Sequence, residues 1–381
     1  MAKTGRFYKT SIGGEEVLAF VPDPLPPQNG ISLSSKHRSE LVLAEKNLSQ
    51  LEVAADMLPS LEWFIYAFVR KEAVLSSQIE GTQCTLVDLL RFEAEVGDFD
   101  DDVEEVCNYL DALKFAREEL KKPKGLPLSM RLLNTCHGFL MQGVRGKNKR
   151  PGEVRSSQNW IGGTRPGNAH FVPPPPHLLS QLLSDFEKYI HAQDDTPLLV
   201  KCALLHVQFE TIHPYLDGNG RIGRLLVTLL LEEYGFLCAP LLYLSLFLKR
   251  NRAAYYGHLS AVRKEGDWAG WIAFFLEGIG EIAKEATESA RDIFRCIEED
   301  RTKVLNSPSS TIMSLRLFES LSVHPILNIQ GVTKRMGTSK PTAMKAVDQL
   351  MALGILMEST GRKRDKVFRY ETYLNHLNTG T

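Results

Sequence analysis

The 381 residues hold six cysteines, and no two of them lie close together. Cys84, Cys107, Cys136, Cys202, Cys238 and Cys296 are separated by at least 23 residues. That spacing excludes C-x-x-C zinc and redox motifs, and scattered single thiols suit a reducing compartment. Long apolar runs are also missing. The longest, Gly235 to Leu248, has 14 residues and contains Pro240, whereas a membrane-spanning helix needs about 20. It reads as buried core, with no membrane partner. The N-terminus, MAKTGRFYKTSIGGEE, lacks the apolar centre of a signal peptide, so a cytoplasmic location is expected. No repeat period points to a solenoid. Net charge is nearly absent, at −1 from 45 basic and 46 acidic residues. Taken whole, that disfavours a dedicated nucleic-acid binder, which works mainly by neutralising phosphates.

What remains is an average globular composition, 43% apolar and 24% charged. At roughly 150 residues per domain the length suits two to three domains. Residues 33–120 read as helical, with many Leu, Glu, Lys and Ala and little Gly or Pro. The acidic run between Glu93 and Glu105 reads as a solvated loop and helix start, since acids favour helix N-termini. Residues 126–145 read as a further helix. The Gly- and Pro-rich stretch from Gly146 to Pro176 predicts a β-hairpin or flap, and a loop of that length inside a compact protein is usually functional. Helix resumes from His177 to about Glu299. Strand-like runs are scarce before residue 300, so the expected fold is mostly α with one small hairpin.

One twelve-residue segment carries most of the chemistry: His213-Pro214-Tyr215-Leu216-Asp217-Gly218-Asn219-Gly220-Arg221-Ile222-Gly223-Arg224. Gly218, Asn219 and Gly220 precede a helix, where a turn exposes successive N–H groups to an anion. Arg221 and Arg224, three apart, face the same anion from the first helical turn. Asp217 offers a hard oxygen ligand suited to Mg²⁺ beside phosphates. His213 has the one side chain here that titrates near neutrality, which suits a general base. A base, a metal ligand, an anion nest and two guanidiniums form the set that phosphoryl and nucleotidyl transfer need.

This segment resembles the active-site motif of the Fic family, His-x-Phe-x-(Asp/Glu)-Gly-Asn-Gly-(Arg/Lys)-x-x-Arg, with Tyr215 in place of Phe. The resemblance implies a helical core that transfers AMP from ATP, with Mg²⁺, to a hydroxyl of a target protein, Ser, Thr or Tyr. By that resemblance His213 deprotonates the hydroxyl, Asp217 holds Mg²⁺, and the stretch Gly218, Asn219, Gly220, Arg221, Ile222, Gly223 and Arg224 holds the nucleotide phosphates. A branch with Ala-Asn-Lys in place of Gly-Asn-Gly phosphorylates its target instead, so Gly218 and Gly220 favour AMP transfer. Ser76 and Glu80 share one helical face at i, i+4, ahead of Gly81. The segment resembles the family's inhibitory helix, whose Glu pairs with the second Arg of the motif, here Glu80 with Arg224. In relatives a flap clamps the target by main-chain pairing; Trp160, Ile161, Gly162 and Gly163 are expected at its tip, facing nucleotide. Tyr255 and Tyr256 resemble the family's segment near adenine, with core packing the alternative.

Residues 306–381 carry ten Lys and Arg against five Asp and Glu. Helices at 314–322, 329–336 and 339–353, followed by a basic hairpin, resemble a winged helix-turn-helix. Lys340, Thr342 and Lys345 would face a major groove, with Arg362, Lys363 and Arg364 on phosphates; a protein-docking role is the alternative. The expected divisions are an N-terminal helical region at 1–120 with an inhibitory helix at about 72–81, a core at 121–300, and the winged module at 306–381. Three functions stay open: AMP transfer to a target or to the chain itself, the reverse hydrolytic reaction, and DNA-binding regulation. Homodimerisation is open as well.

Overall fold

The computed structural model describes residues 4–28, 30–56, 61–97, 100–143, 148–362 and 364–379. Lys363 lies outside the described residues. The chain is mostly helical with two small antiparallel sheets. At its centre stand α7 (Leu198–Ile212) and α8 (Asn219–Glu233). Both are apolar on nearly every face and almost wholly buried, which suits helices surrounded by others. The six-residue link between them carries the His213–Gly218 half of the motif.

Around this pair pack α1 (Ser35–Asp56), α2 (Leu61–Ile79), α3 (Leu86–Glu93), α4 (Asp101–Lys121), α5 (Met130–Leu140), α6 (Pro176–His191), α9 (Ser245–Arg250), α10 (Arg252–Glu265) and the long α11 (Trp268–Asn306). The helix starts follow their capping residues. Thr85 and Asp88 form a capping box at α3, and Asp100 accepts from the N–H groups of Asp102 and Val103 at α4. The acidic run is therefore a helix start, as its composition predicts. The helix expected at 126–145 is shorter, because Ser129 caps it at Met130 and the chain turns at Gly143, whose φ is +90°.

Two strand features depart from expectation. An N-terminal hairpin, β1 (Gly5–Ile12) with β2 (Glu15–Pro22), turns on Gly13 and Gly14, both at positive φ. The predicted flap between Gly146 and Pro176 is nearly strandless among the described residues. It closes on a single pair, Ile161 with Phe171, and a 3-10 turn at Pro166–Asn168. Its prolines remove the N–H groups that a longer ladder would use.

The basic tail folds as α12 (Ile312–Ser320), β3 (Ile326–Asn328), α13 (Ile329–Met336), α14 (Lys340–Ala352), β4 (Met357–Glu358), β5 (Val367–Arg369) and α15 (Glu371–Asn378), with the sheet in the order β3-β5-β4. Ser339 caps α14 and Pro341 sits in its first turn. The tail docks on the helical body. Tyr370 donates to Asp300 of α11 at 2.8 Å, and Lys71 of α2 donates to the carbonyl of Thr379 at 2.8 Å.

Candidate active site

The link from α7 to α8 is held by its own side chains and by braces from elsewhere in the fold. His213 ends α7 in the left-handed region, at φ 52° and ψ 62°, an uncommon conformation for a residue with a Cβ. Asn219 closes the loop. Its Oδ1 accepts from Tyr215 N at 2.8 Å and its Nδ2 donates to Tyr215 O at 2.9 Å. The Asn219 side chain thus braces the turn. The Tyr215 ring is fully buried and stacks on His137 at 3.9 Å between centroids, and its hydroxyl donates to Asn134 at 2.8 Å. His137 accepts from Gly152 N at Nδ1, 2.9 Å, so its Nε2 carries the hydrogen that reaches Asp217 O at 3.0 Å. Burial lowers its pKa to about 4, which keeps it neutral.

Arg155 is another outside brace. It is 2% exposed. Its guanidinium donates to His213 O at 2.9 Å, to Pro174 O at 2.6 Å and to Ser157 O at 3.2 Å. One buried cation therefore ties both limbs of the flap to the C-terminal carbonyls of α7, where a positive charge is favoured. Burial, with the charges of Arg155 and Arg263, lowers the His213 pKa to about 3. The imidazole is therefore neutral at pH 7.

Gly218, at φ 77°, begins α8. A Cβ there would lie 2.9 Å from Met141 Sδ. Gly220 is more tightly placed, since a Cβ would run into the Glu80 carboxylate and the Arg224 guanidinium. Ile222 points into the core, fully buried, and Gly223 leaves room for the buried Glu210 carboxyl.

Both arginines of the motif are engaged by carboxylates. Arg224 donates to Glu80 Oε1 at 2.7 Å, to Ser76 Oγ at 2.9 Å and to Ser76 O at 2.9 Å. Burial would raise the Glu80 pKa, but the charge and hydrogen bond of Arg224 outweigh it and bring it below the usual value. Glu80 itself stands just past the end of α2, with Gly81 at φ +105°. Arg221 pairs with Glu105 at 2.5 Å and lies 3.8 Å from Asp217. Thr82 donates to the same Glu105 oxygen at 3.0 Å, so the Glu80 turn and the Glu105 pair are linked. Asp217 has a half-exposed side chain, and its Oδ1 accepts from Gly218 N at 2.6 Å. Among the described residues no three His, Cys, Asp or Glu side chains form a metal cluster.

The other predicted residues lie around this centre or farther out, and the charges of Glu80 and Arg224 reach both Tyr255 and Tyr256. Tyr255 is a core residue whose hydroxyl meets His206 Nε2 at 2.8 Å. His206 Nδ1 in turn meets Gly223 O at 3.0 Å, so the pair braces α8 just before Arg224. Tyr256 is on the surface, with Arg252 against its ring. Trp160 is exposed, Ile161 forms the one flap pair, and Gly162 and Gly163 turn at positive φ beside it. Lys340, Thr342 and Lys345 are exposed along α14, and Arg362 and Arg364 stand on the loop between β4 and β5. Sequence reasoning passed over Arg155, His137, Glu105 and Glu210. Glu105 was in view as part of the acidic run, with nothing local to mark its partner.

Residues 38–118 match the family described as Fic/DOC family N-terminal, and residues 127–231 match the Fic/DOC family. The Protein adenylyltransferase Fic of Drosophila persimilis is 28% identical over 269 residues, covering 66% of this chain and 49% of that protein. The Drosophila melanogaster protein of the same name is 27% identical, covering 66% and 51%. The chain spans about half the length of these curated relatives. Among solved structures, a Fic family protein from Desulfovibrio desulfuricans G20 superposes with a TM-score of 0.59 at 19% identity, over 89% of this chain and 97% of that one. Fic-1 (residues 134–508) from C. elegans gives 0.51 at 18%, over 68% and 73%.

Proposed function

Because the chain is a Fic/DOC family protein, with the N-terminal region and the family domain both present, we propose that it is an autoinhibited protein adenylyltransferase. The observation that carries the reading is the Arg224–Glu80 contact at 2.7 Å beside the Gly218–Gly220 nest. An anion site whose guanidinium is occupied by a carboxylate from another helix is blocked for the anion it suits.

The reaction follows from the groups in place. The target hydroxyl loses its proton to neutral His213 as its oxygen attacks the α-phosphate of ATP. The bond to the β-phosphate bridging oxygen breaks, and pyrophosphate leaves. The nest N–H groups and the two arginines take the charge that builds on the phosphate oxygens. Asp217 is the residue that would hold Mg²⁺. A lone half-exposed carboxylate fits an ion that keeps most of its shell as water and phosphate, and the ion would neutralise charge on the leaving group. Glu80 is 34% exposed at its side chain while Arg224 is 2% exposed. The movable partner is therefore the glutamate, and its withdrawal frees the arginine.

We also read residues 306–381 as a winged helix-turn-helix, supported among the described residues by the helix, strand, helix, helix, strand, strand order and the exposed lysines of α14. DNA as its partner is tested by a gel shift with the full chain. Loss of a salt-dependent shift on Lys340→Glu/Lys345→Glu supports it, and no shift at low salt excludes it.

The test of AMP transfer uses ATP labelled separately at the α- and γ-phosphates, with Mg²⁺ and the Glu80→Gly chain. Label from the α-phosphate alone should become protein-bound, and His213→Ala should abolish it. Label from the γ-phosphate would mean phosphoryl transfer and sink the reading.

A further inference from the structure

The N-terminal hairpin contributes nothing to the nest or to the hold on Glu80. It lies against the flap instead. Phe20 N donates to Val172 O at 2.9 Å, and Glu15 accepts from Gly167 N at 2.8 Å and from Arg165 at 2.9 Å. Between the hairpin, the second flap limb and the end of α10 lies a cavity of about 440 Å³. Phe7 and Leu18 project into it from adjoining strands at 58% and 55% exposure. Two large apolar side chains left so open beside one another are unusual unless something covers them.

The walls are charged mainly in one sense. Lys9, Arg263 and Lys264 line the groove, opposed by Glu16. Arg263 also ties the groove to the chemistry. Its guanidinium lies 3.9 Å over the Phe171 ring, and its Nε donates to Thr211 at 3.3 Å, two residues before His213. Arg263 therefore joins the inner wall of the groove to the end of α7, and its charge acts on His213.

We propose that this groove docks an extended, apolar, acid-flanked segment of the target protein and leads its hydroxyl toward His213. The inference rests on the AMP-transfer reading for what happens next, but the docking itself does not need ATP. Apolar side chains of the segment cover Phe7 and Leu18. Its carboxylates pair with Lys9 and Lys264, which gives register and steering more than raw affinity. A basic segment is repelled by the same rim.

The test is fluorescence anisotropy with the full chain and two short labelled peptides. Both carry one Thr and two Leu; one is flanked by Asp and Glu, the other by Lys. The acidic peptide should bind, more weakly as salt rises. Lys9→Glu/Lys264→Glu should weaken it by about tenfold or more, and Leu18→Asp should do the same. All three positions are exposed, and an unchanged unfolding midpoint checks the fold of each variant. Equal binding of both peptides, no binding of the acidic one, or binding indifferent to these substitutions overturns the proposal. A concentration-dependent dimer lost in the same variants would give the groove to a second copy of the chain, and also overturns it. Binding is read without nucleotide, so this failure is distinct from failure of AMP transfer.

Discussion

Arg155 Nε lies 2.9 Å from the carbonyl oxygen of His213, at the point where α7 ends and the motif loop begins. The contact makes Arg155 a positioning residue, because it holds the backbone of the base and both flap limbs without touching the reacting atoms. Its charge also depresses the His213 pKa. Arg155→Gln removes the positive charge. Burial is the larger cause of the depression and stays, as does Arg263, so the His213 pKa should rise only part of the way from about 3, and in the Glu80→Gly background the acid limb of the rate profile should move to higher pH. Arg155→Lys keeps the charge, so that limb should stay while the rate falls. A limb unmoved by Arg155→Gln contradicts the assignment.

Glu210 makes a second titration prediction. Burial raises its pKa to about 7, against an ordinary 4.5, with Arg224 opposing the rise. A carboxyl with a raised folded pKa contributes stability that is complete below the unfolded value and is lost as pH climbs through the folded one. The Glu210 contribution to the unfolding free energy should therefore fall between pH 4.5 and about 7, and the difference between the parent and Glu210→Gln should isolate that fall from the opposite trend of the buried histidines. Denaturant titrations across the range provide the measurement; parallel curves for the two proteins would disagree.

Gly223→Ala should destabilise the fold. The new methyl collides with the Glu210 carboxyl and crowds His206, and overpacking of a rigid core costs typically 1 to 3 kcal/mol, about 2 here. The position is in a helix, where Ala is otherwise preferred by about 1 kcal/mol. A net gain in unfolding midpoint would mean that Glu210 moves freely.

Tyr215→Phe and Tyr215→Ala should separate the ring from its hydroxyl. The Phe variant keeps the stack on His137 and loses the bond to Asn134, a loss of about 1 kcal/mol. Its nucleotide labelling should stay close to parent. The Ala variant leaves a cavity behind the loop and should lose about 3 kcal/mol or more, with labelling falling alongside.

The motif was legible because its chemistry is contiguous. A base, a carboxylate, two glycines and two arginines within twelve residues need no tertiary knowledge to be read together. Helical spacing put Ser76 and Glu80 on one face, the resemblance to the family's inhibitory helix implied their partner, and they meet Arg224 as that resemblance implies. The helices Ile329–Met336 and Lys340–Ala352 followed from local rules too. The braces were not legible. Arg155 acts on carbonyls 58 residues away, and Glu105 acts on Arg221 across helices; neither leaves a periodic trace. The β1–β2 hairpin was read only for the apolar core of a signal it lacks, and Gly13-Gly14 was passed over as its turn. The flap shows the opposite error. Its glycines and aromatics suggested strands, but its prolines cap the ladder at one pair. Adjacent tyrosines were ambiguous by sequence, and burial sends Tyr255 to the core while Tyr256 stays outside.

Glu80 occupies Arg224, and on the proposed function that contact holds AMP transfer off. Protein-bound label from α-labelled ATP, compared for the parent, Glu80→Gly and Glu80→Gly/His213→Ala at equal concentration, tests it most directly. The account predicts at least about tenfold more label for Glu80→Gly than for the parent, consistent with release of a charge-assisted contact, and background label for the double variant. Label for Glu80→Gly no higher than for the parent would contradict it.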